Sequence, residues 1–393
     1  MTIWRYLVDD GVDAARGLAV DEALTALYGR NHTNSEEATL RLYTYQPHCA
    51  LVGRYQSLED EVDLDRCAAR GVQVGRRPTG GGAIIMGPAQ LGVAVVRRSC
   101  PEKSPRETLR DHAGGVIAGL EALGIEARFR SKNDLEVEGR KIAGMGLYLH
   151  PDGGFLFHTS VLVDLDIELM LDVLRIPGAK LLDKPALRIG ERVTTVARET
   201  GRPLLAPEVR QQFASAIATF FKVKLETIPL PDEHTERVED LLTERYGNTG
   251  WVSQRSPQRD ARGSSVLKTP EGLIRIYAGV RAESIKSVLI TGDFNVLPPS
   301  IPRLEAALKW SCAQPAAVER VAAEILSPED LGVDPGIVAG AIWQAVDRGL
   351  RLEGRAHPLR REGSCYAPEA EMSSPGSTVS DGRDATNPEG VAR

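Results

Sequence analysis

The amino-acid sequence predicts an α+β fold, with a mixed, largely antiparallel sheet flanked by helices. Strand-like runs follow one another across short turns, at residues 134–138, 141–149 and 155–165, which is typical of antiparallel hairpins. Amphipathic helices are predicted before and after them, at residues 13–28 and 207–221. No GxGxxG motif stands between a strand and a helix, which argues against a Rossmann-type nucleotide fold.

The other elements are predicted from apolar periodicity and from the residues that end each run. A strand at residues 4–8 opens the chain, and Pro47 separates a strand at 40–45 from another that begins at 50–53. Further elements before residue 228 are a helix at 58–70, strands at 72–74 and 90–96, a helix at 107–123, a strand at 127–129 and a short helix at 167–174. Later elements are strands at 264–280 and 284–291 and helices at 301–308, 316–325 and 336–350.

Length and composition predict two domains and a tail. The 393 residues suffice for more than one hydrophobic core, and the hydrophobic (42%) and charged (26%) fractions are ordinary for a globular protein. Residues 229–236 are expected to link a larger domain, 1–228, to a smaller α+β domain, 237–352. Residues 367–393 are rich in Ser, Pro, Gly and Asp without apolar periodicity, which predicts a disordered tail.

Charge and cysteine content narrow the class of protein. The formal net charge of −6 gives no case for nucleic-acid binding. The five cysteines are scattered and form no CxxC pair, so neither a disulfide framework nor a structural zinc site is expected. The first ten residues lack the apolar core of a signal peptide, and no stretch approaches the length of a membrane span. A cytoplasmic protein with reduced thiols is expected.

The stretch at residues 75–83 is the candidate binding loop. Its three consecutive glycines, residues 80–82 (the glycine loop), expose backbone N–H groups without a Cβ, so phosphate or carboxylate oxygens can approach closely. Arg76 and Arg77 supply positive charge for the same anions. An apolar run at 83–86 predicts a strand that holds the loop. A glycine-rich hairpin beside solvated arginines is the alternative, and this stretch alone does not decide between them.

A second stretch, residues 132–144, contains the candidate catalytic lysine. Lys141 begins the return strand of a predicted hairpin, and the small residues Ala143 and Gly144 leave room for a ligand along that strand. An ordinary solvated lysine is the alternative for Lys141, since most lysines are exposed. A turn-capping side chain is the alternative for Asp134.

The first motif is RRxTGGGA at residues 76–83, and the second is Asn-Asp followed by GRKIAG within residues 133–144. A histidine in a β-rich run follows both motifs. In this order and spacing they resemble the lipoate–protein ligase family, within the superfamily of biotin and lipoate ligases and octanoyltransferases. The resemblance extends over roughly residues 3–225. Residues 285–308 also resemble the accessory C-terminal domain of the two-domain ligases. Shorter segments that agree are at residues 19–24, 40–43, 53–56, 180–184 and 192–193.

The resemblance implies a biotin/lipoate ligase-like catalytic domain at residues 1–228 and an accessory domain at 237–352. It also implies a two-step reaction. Lipoate, or octanoate, reacts with ATP and Mg²⁺ to give the acyl-adenylate and pyrophosphate, and the acyl group then passes to a lysine of a lipoyl domain. The implied partners are the lipoyl domains of 2-oxoacid dehydrogenase E2 subunits and the glycine cleavage H protein, with no nucleic acid and no membrane.

The same resemblance assigns roles to residues of the two motifs. Lys141 is the predicted catalytic cation, and Asp134 is the predicted Mg²⁺ ligand. His158 is either a contact to the adenylate or acyl group or a core histidine satisfied by its neighbours. Ile84 and Val74 are candidates to wall the slot for an aliphatic chain. The residues expected to bind substrate or ATP are Arg76, Arg77, Thr79, Gly80, Gly81, Gly82, Ala83, Asn133, Asp134, Gly144 and His158.

The chain departs from the family pattern just after the glycines. The family continues Ala-Val-x-His-Asp, whereas residues 83–87 read Ala-Ile-Ile-Met-Gly. Any role of that histidine is lost, and Met86 is expected to make the pocket wall more apolar. His158 is followed directly by Thr159, where the family usually has an intervening glycine. Either the site is retuned to another acyl group, or the activity has drifted.

Two other functions remain open within the superfamily. Octanoyltransferases and amidotransferases pass the acyl chain through a cysteine thioester without ATP. No cysteine occurs between Cys100 and Cys312, so the positions where relatives carry theirs, at 128–129 and 176–178, are empty. This favours adenylation, although Cys49 and Cys100 remain candidates if they approach in space. A non-catalytic lipoyl-binding relative is the third possibility.

Overall fold

The computed structural model describes residues 2–29, 32, 36–100, 102–130, 133–176, 189–270 and 272–356. Met1–Glu353 form one compact unit. The predicted disordered tail, residues 367–393, lies outside the described residues, as does the segment 180–184 of the family resemblance. No helix within the described ranges is long and apolar enough to cross a membrane.

The described part of the chain is built from strands and helices in irregular alternation. The strands are β1 (Thr2–Val12), β2 (Ala38–Tyr45), β3 (Cys49–Val52), β4 (Gln73–Arg76), β5 (Ile84–Met86), β6 (Gln90–Arg98), β7 (Arg128–Arg130), β8 (Asp134–Val137), β9 (Arg140–Leu149), β10 (Gly154–Leu162), β11 (Val223–Glu226), β12 (Gly263–Thr269), β13 (Gly272–Arg281) and β14 (Ser284–Gly292). The helices are α1 (Ala14–Leu27), α2 (Leu58–Glu61), α3 (Leu64–Arg70), α4 (Pro105–Glu121), α5 (Ile167–Val173), α6 (Ile189–Arg192), α7 (Val196–Thr200), α8 (Ala206–Phe221), α9 (Asp232–Leu241), α10 (Thr249–Val252), α11 (Ser300–Leu308), α12 (Pro315–Ile325), α13 (Pro328–Leu331) and α14 (Pro335–Ala356).

The largest sheet has eight strands in the order β11-β1-β2-β6-β10-β9-β8-β7. Strand β1 pairs in parallel with β11 and β2, and every other pair in this sheet is antiparallel. The predicted hairpins β8–β9 and β9–β10 form its antiparallel half. The predicted fold class, α+β with a mixed, largely antiparallel sheet, is therefore confirmed.

Helices cover both faces of this sheet, so its central strands are buried on both sides. Helices α4 and α8 pack against each other and against one face, where Phe157 and Phe213 belong to the largest hydrophobic cluster. Gly119 allows the two helices to approach, since a Cβ there would lie 2.4 Å from the Phe213 ring. Helix α1 covers the other face, and Leu18 and Leu24 pack there with Leu156 of β10.

A small sheet in the order β4-β3-β5 carries the glycine loop. Strand β3 pairs in parallel with β4 and antiparallel with β5, so the chain between β4 and β5 must cross over the end of β3. That crossing segment contains residues 77–83. The sheet packs on α3 and α5 through apolar side chains, including Val52 and Val173. The glycine loop is thereby fixed at both ends by buried strands.

The C-terminal part of the compact unit is a three-stranded antiparallel sheet, β12-β13-β14, with helices packed against it. It contacts the N-terminal part through α2, because Arg275 Nε lies 3.0 Å from Glu61 Oε1 and Tyr277 donates to Asp60 at 2.6 Å. The expectation of a linker over residues 229–236 is wrong for its second half. Helix α9 begins at Asp232 and packs on α1 with two buried apolar side chains. The division into domains 1–228 and 237–352 stays a prediction.

Candidate active site

A cavity of about 480 Å³ lies between the glycine loop and strands β8–β10. Both sequence motifs contribute to its lining. The apolar side chains that line it are Leu18, Tyr43, Tyr45, Leu51, Ile84, Met86 and Met145. The charged and amide side chains that line it are Arg77, Asn133, Asp134, Lys141, Arg192, Asp293 and Asn295. The cavity thus combines an apolar wall with a strongly polar one, as a site for an amphipathic ligand requires.

Lys141 and Asp134 form an ion pair in this cavity. The Lys141 Nζ lies 2.7 Å from Asp134 Oδ1, and each side chain is about one-third exposed, at 35% and 32%. A register shift in the β8–β9 hairpin places Asp134 opposite Gly144. A Cβ at residue 144 would lie 2.9 Å from Lys141 Nζ, so this glycine makes room for the pair. The main-chain carbonyl of Lys141 accepts a hydrogen bond from the Thr194 N–H at 2.8 Å, which fixes the strand behind it.

Asn133 connects the two motifs in space. Its Nδ2 donates to the Met145 carbonyl at 2.9 Å, which orients the amide along β9. A Cβ on Gly81 would lie 3.8 Å from that Nδ2. The glycine loop and the Asn-Asp segment therefore face each other, although some fifty residues separate them in the sequence.

The glycine loop is covered by a segment of the C-terminal region. The Gly81 N–H donates to the Phe294 carbonyl at 2.8 Å, and a Cβ on Gly80 would lie 1.9 Å from the same oxygen. The expectation that all three glycine amides receive ligand oxygens is therefore wrong for Gly81, whose N–H is already bonded within the protein. Gly82 lies near Asp293, since a Cβ there would be 3.7 Å from its Cγ. Ala83 also lines the cavity.

Arg76 and Arg77 both hold the loop by donating to main-chain carbonyls. Arg76 is fully buried, is absent from the cavity lining, and donates from Nη1 and Nε to four main-chain carbonyls. Arg77 lines the cavity but donates to the carbonyls of Leu51, Gly80 and Gly82. Burial lowers the pKa of each guanidinium to about 10. The expected role of Arg76 at a carboxylate or phosphate does not agree with this position.

His158 lines the cavity as a neutral, hydrogen-bonded side chain. Its Nε2 lies 2.9 Å from the Oγ1 of the buried Thr79. Gly146 makes room for the ring, since a Cβ there would lie 2.3 Å from the same nitrogen. Burial and then the nearby Arg77 charge lower the pKa of His158 to about 3. The nitrogen is satisfied by a neighbour, as expected of a core histidine, and the ring reaches the cavity. Contact of His158 with an adenylate or acyl group stays a prediction.

The apolar wall agrees with the expected effect of Met86. This side chain is buried, lines the cavity, and packs in one cluster with Leu18, Tyr45 and Leu51. Ile84 lines the cavity too, whereas Val74 packs in a separate cluster.

Several cavity residues were not predicted as site residues from the sequence. Arg192 and Asp293 lie within segments that carried the family resemblance but had no chemistry assigned to them. Tyr43 and Asn295 also lie within resembling segments, at 40–43 and 285–308, whereas Tyr45 carried only a strand alternation. Which of these reaches the cavity depends on contacts between distant parts of the chain.

No cysteine among the described residues lines the cavity. Cys49 and Cys67 are buried, and burial raises the pKa of the Cys49 thiol strongly and that of Cys67 to about 11. Cys100 and Cys312 are exposed, and Cys365 lies outside the described residues. A raised thiol pKa is the opposite of what a thioester-forming nucleophile needs.

A family model described as the lipoyl protein ligase A/B catalytic domain matches residues 13–218, more than half of the chain. The chain belongs to this family. An octanoyltransferase LipM from Symbiobacterium thermophilum is 29% identical over 272 residues, which cover 64% of this chain and 98% of the relative. Another, from Kyrpidia tusciae, is 30% identical over 266 residues, covering 62% and 96% of the two chains.

Solved structures agree on the fold. A structure from a study of a bipartite lipoate protein ligase of Thermoplasma acidophilum and its E2 lipoyl domain matches with a TM-score of 0.58 and 25% identity, covering 66% of this chain and 99% of that chain. LipL1 of P. falciparum, in complex with lipoate, matches with a TM-score of 0.62 over 82% of this chain and 95% of that one, at 15% identity, which shows the fold alone. The protein is thus an enzyme of the family of lipoate ligases and octanoyltransferases, and its relatives carry both names.

Proposed function

We propose that the protein is an ATP-dependent lipoate–protein ligase. It activates lipoate, or octanoate, as the acyl-adenylate and transfers the acyl group to a lysine of a lipoyl domain. One observation carries the proposal: the Lys141–Asp134 pair faces the glycine loop in a cavity that none of the described cysteines lines. Acceptor proteins of this chemistry are lipoyl domains of 2-oxoacid dehydrogenase E2 subunits and the glycine cleavage H protein.

The first step brings two anions together, and Lys141 offsets their repulsion. A carboxylate oxygen of the acid attacks the α-phosphorus of ATP, an acyl–phosphate bond forms, and pyrophosphate leaves with the electron pair of the broken bond. An ammonium at about 4 Å from one of these charges stabilises it by roughly 4 kcal/mol at an effective dielectric of about 20, before desolvation. Asp134, 2.7 Å from Lys141 Nζ, holds the ammonium in the cavity until the acid arrives.

The second step transfers the acyl group. The amine of the acceptor lysine attacks the acyl carbon, an amide bond forms, and AMP leaves. Lys141 would hold the carbonyl oxygen on which negative charge develops, as preorganised donors do in other acyl transfers. The apolar wall formed by Leu18, Leu51 and Met86 would hold the aliphatic chain of the acid away from water.

Mg²⁺ would be held in this cavity by carboxylates together with the phosphate oxygens of a nucleotide. Among the described residues, no group of three or more His, Cys, Asp or Glu side chains forms a metal site. Asp134 and Asp293 are carboxylates that line the cavity, and one or two carboxylates plus phosphate oxygens are a usual ligand set for Mg²⁺. The ion would neutralise charge on the phosphates when bound.

An ATP-independent octanoyltransferase is the second candidate, because curated relatives are octanoyltransferases by name. The two functions are distinguished by incubating an apo lipoyl domain with the protein and measuring its mass. The ligase is expected to add a lipoyl or octanoyl group only when ATP and the acid are both present. The ligase would be refuted, and the transferase supported, by two results together. The lipoyl domain would be octanoylated from octanoyl-acyl carrier protein without ATP, and it would stay unmodified with ATP and either free acid.

A pair of lysine variants tests the role of the ion pair. Lys141→Ala should lower acid-dependent pyrophosphate exchange by about 10²–10³-fold, the usual cost of removing one such donor. Lys224→Ala is the matched control, since Lys224 is a 64% exposed lysine that also pairs with a carboxylate at 2.7 Å. Thermal unfolding of both variants should be close to that of the wild type. Equal exchange rates in the two variants would remove Lys141 from the mechanism.

A further inference from the structure

The cavity has a polar end and an apolar end, and the order of strands in the large sheet sets the distance between them. Asp134 and Lys141 belong to β8 and β9, whereas Tyr45 ends β2, and all three side chains line the cavity. Strands β6 and β10 lie between β2 and β9. Neighbouring strands are about 4.8 Å apart, so β2 and β9 are roughly 14 Å apart across the sheet. The cavity therefore suits an elongated acid whose carboxylate is held at Lys141 and whose other end lies near β2.

The floor between these two ends is a row of small residues. Paired residues cross the sheet from Tyr43 of β2 through Gly92 and Ser160 to Gly144 of β9. Ser160 and Gly144 line the cavity. A Cβ at residue 92 would lie 2.4 Å from the Tyr43 ring, so that ring covers Gly92. The row leaves room for an aliphatic chain to lie across the sheet towards the tyrosines of β2.

The Tyr45 hydroxyl is a buried polar group at the apolar end. The residue is 1% exposed, and its hydroxyl has no hydrogen-bond partner among the described residues. The Tyr43 hydroxyl is a close neighbour, but it donates to Asp21 at 3.4 Å, and the geometry between the two tyrosine hydroxyls is not that of a hydrogen bond. Burial raises the pKa of Tyr45 well above its ordinary value, so the hydroxyl keeps its proton and remains a donor. A purely apolar ligand would leave this donor buried and unpaired, which is costly.

We infer that Tyr45 is a specificity-determining residue that favours an acid with a hydrogen-bond acceptor near its distal end, and therefore lipoate over octanoate. This inference rests on the proposed ligase function. The two sulfurs of lipoate are at the end of the molecule furthest from the carboxylate, and sulfur accepts a weak hydrogen bond. Octanoate has only methylene and methyl groups there, which exclude water from the hydroxyl without replacing its hydrogen bond. Leu18, Leu51 and Met86 pack in one cluster with Tyr45 and suit the aliphatic part of both acids.

The experiment compares kcat/KM for lipoate and for octanoate in acid-dependent pyrophosphate exchange, in the wild type and in Tyr45→Phe. Loss of the hydroxyl should lower the lipoate-to-octanoate ratio by about three- to tenfold, the range of one neutral hydrogen bond. An octanoate analogue with sulfur in place of its sixth carbon should lose its advantage over octanoate in the same variant, which separates hydrogen bonding from the shape of the dithiolane ring. A ratio that is the same in Tyr45→Phe and in the wild type overturns the inference.

Tyr28→Phe is the matched control. Tyr28 is also buried, but its hydroxyl is hydrogen-bonded to that of Thr39 at 2.8 Å, and it does not line the cavity. This variant should keep the wild-type ratio and melt at a lower temperature, because it loses a satisfied hydrogen bond. Tyr45→Phe should melt no lower than the wild type, because its hydroxyl has no such bond to lose. An equal change of the ratio in both variants would show a general effect on the fold and would overturn the inference.

Binding of the free acids separates the inference from the proposed function. Calorimetric titration of the wild type and of Tyr45→Phe with lipoate and with octanoate needs neither ATP nor turnover. If the wild type shows no acid-dependent exchange, the ligase function fails. A lipoate-to-octanoate ratio of dissociation constants that still differs between the two proteins would then support Tyr45 as the residue that selects the acid. The same ratio in both proteins, or no binding of either acid, would overturn the inference.

Discussion

Replacing Gly144 by alanine tests the geometry of the Lys141–Asp134 pair with a single methyl group. The new Cβ would lie 2.9 Å from Lys141 Nζ and 3.8 Å from Asp134 Oδ1. Non-bonded atoms pack favourably at about 3.5–4.0 Å, so the ammonium must move by roughly 0.6–1.1 Å. It would leave the position in which it lies 2.7 Å from the carboxylate. The obstructing atoms are the end of a flexible side chain, so the strand itself need not move.

We expect the rate of acid-dependent pyrophosphate exchange to fall by about 10²-fold, which is the typical cost of a 1 Å misplacement at a reacting centre. The free energy of unfolding, measured by urea denaturation, should change by less than about 1 kcal/mol. Gly340→Ala is the control, because a Cβ there meets nothing within 4 Å. Full activity of Gly144→Ala alongside an inactive Lys141→Ala would show that the position of the ammonium is not critical.

Three further predictions concern the frame of the site. Asp21→Asn should lower the free energy of unfolding by about 3 kcal/mol in urea denaturation. The substitution removes a carboxylate charge 2.6 Å from the fully buried Arg41, whose own charge is then undercompensated. A change below about 1 kcal/mol would contradict this. Gly80→Ala places a Cβ 1.9 Å from the Phe294 carbonyl, so it should lower both stability and exchange activity, and a variant with unchanged melting temperature and rate would contradict the packing. His158 has a pKa of about 3 in the folded protein, below its ordinary value, so the unfolded chain binds the extra proton first and stability should fall as the pH is lowered from about 6.5 towards 3. Between pH 7 and pH 5 this amounts to about 2 kcal/mol, a loss that denaturation of His158→Gln should lack; identical pH dependence in the two proteins would refute it.

The sequence was sufficient for the fold class, because alternation and turn residues are local in the chain, whereas the pairing of the two motifs came from their resemblance to a known family. Alternation and turn residues defined the β8–β9 hairpin, and the hairpin brings Lys141 near Asp134. The hydrogen-bond partners of Arg76 and Arg77 were not predictable in this way. Arg76 donates to the carbonyl of Val252, 176 residues away, and to those of Gly53, Arg54 and Gln56. An arginine beside glycines predicts an anion site only if its guanidinium is not already hydrogen-bonded to main-chain carbonyls.

The three glycines of the loop are required for different physical reasons. Gly80 has no room for a Cβ because the Phe294 carbonyl lies against it, and Gly81 adopts a φ of +89°, which favours glycine. At Gly82 a Cβ would make only ordinary contacts, the nearest at 3.7 Å to Asp293. Two of the three glycines are therefore explained by the fold of the loop against the C-terminal region, without any ligand. Close approach of an anion, which first suggested a binding loop, stays the predicted reason for Gly82. Substitutions at Gly80 and Gly81 should therefore report on packing, and those at Gly82 on the ligand.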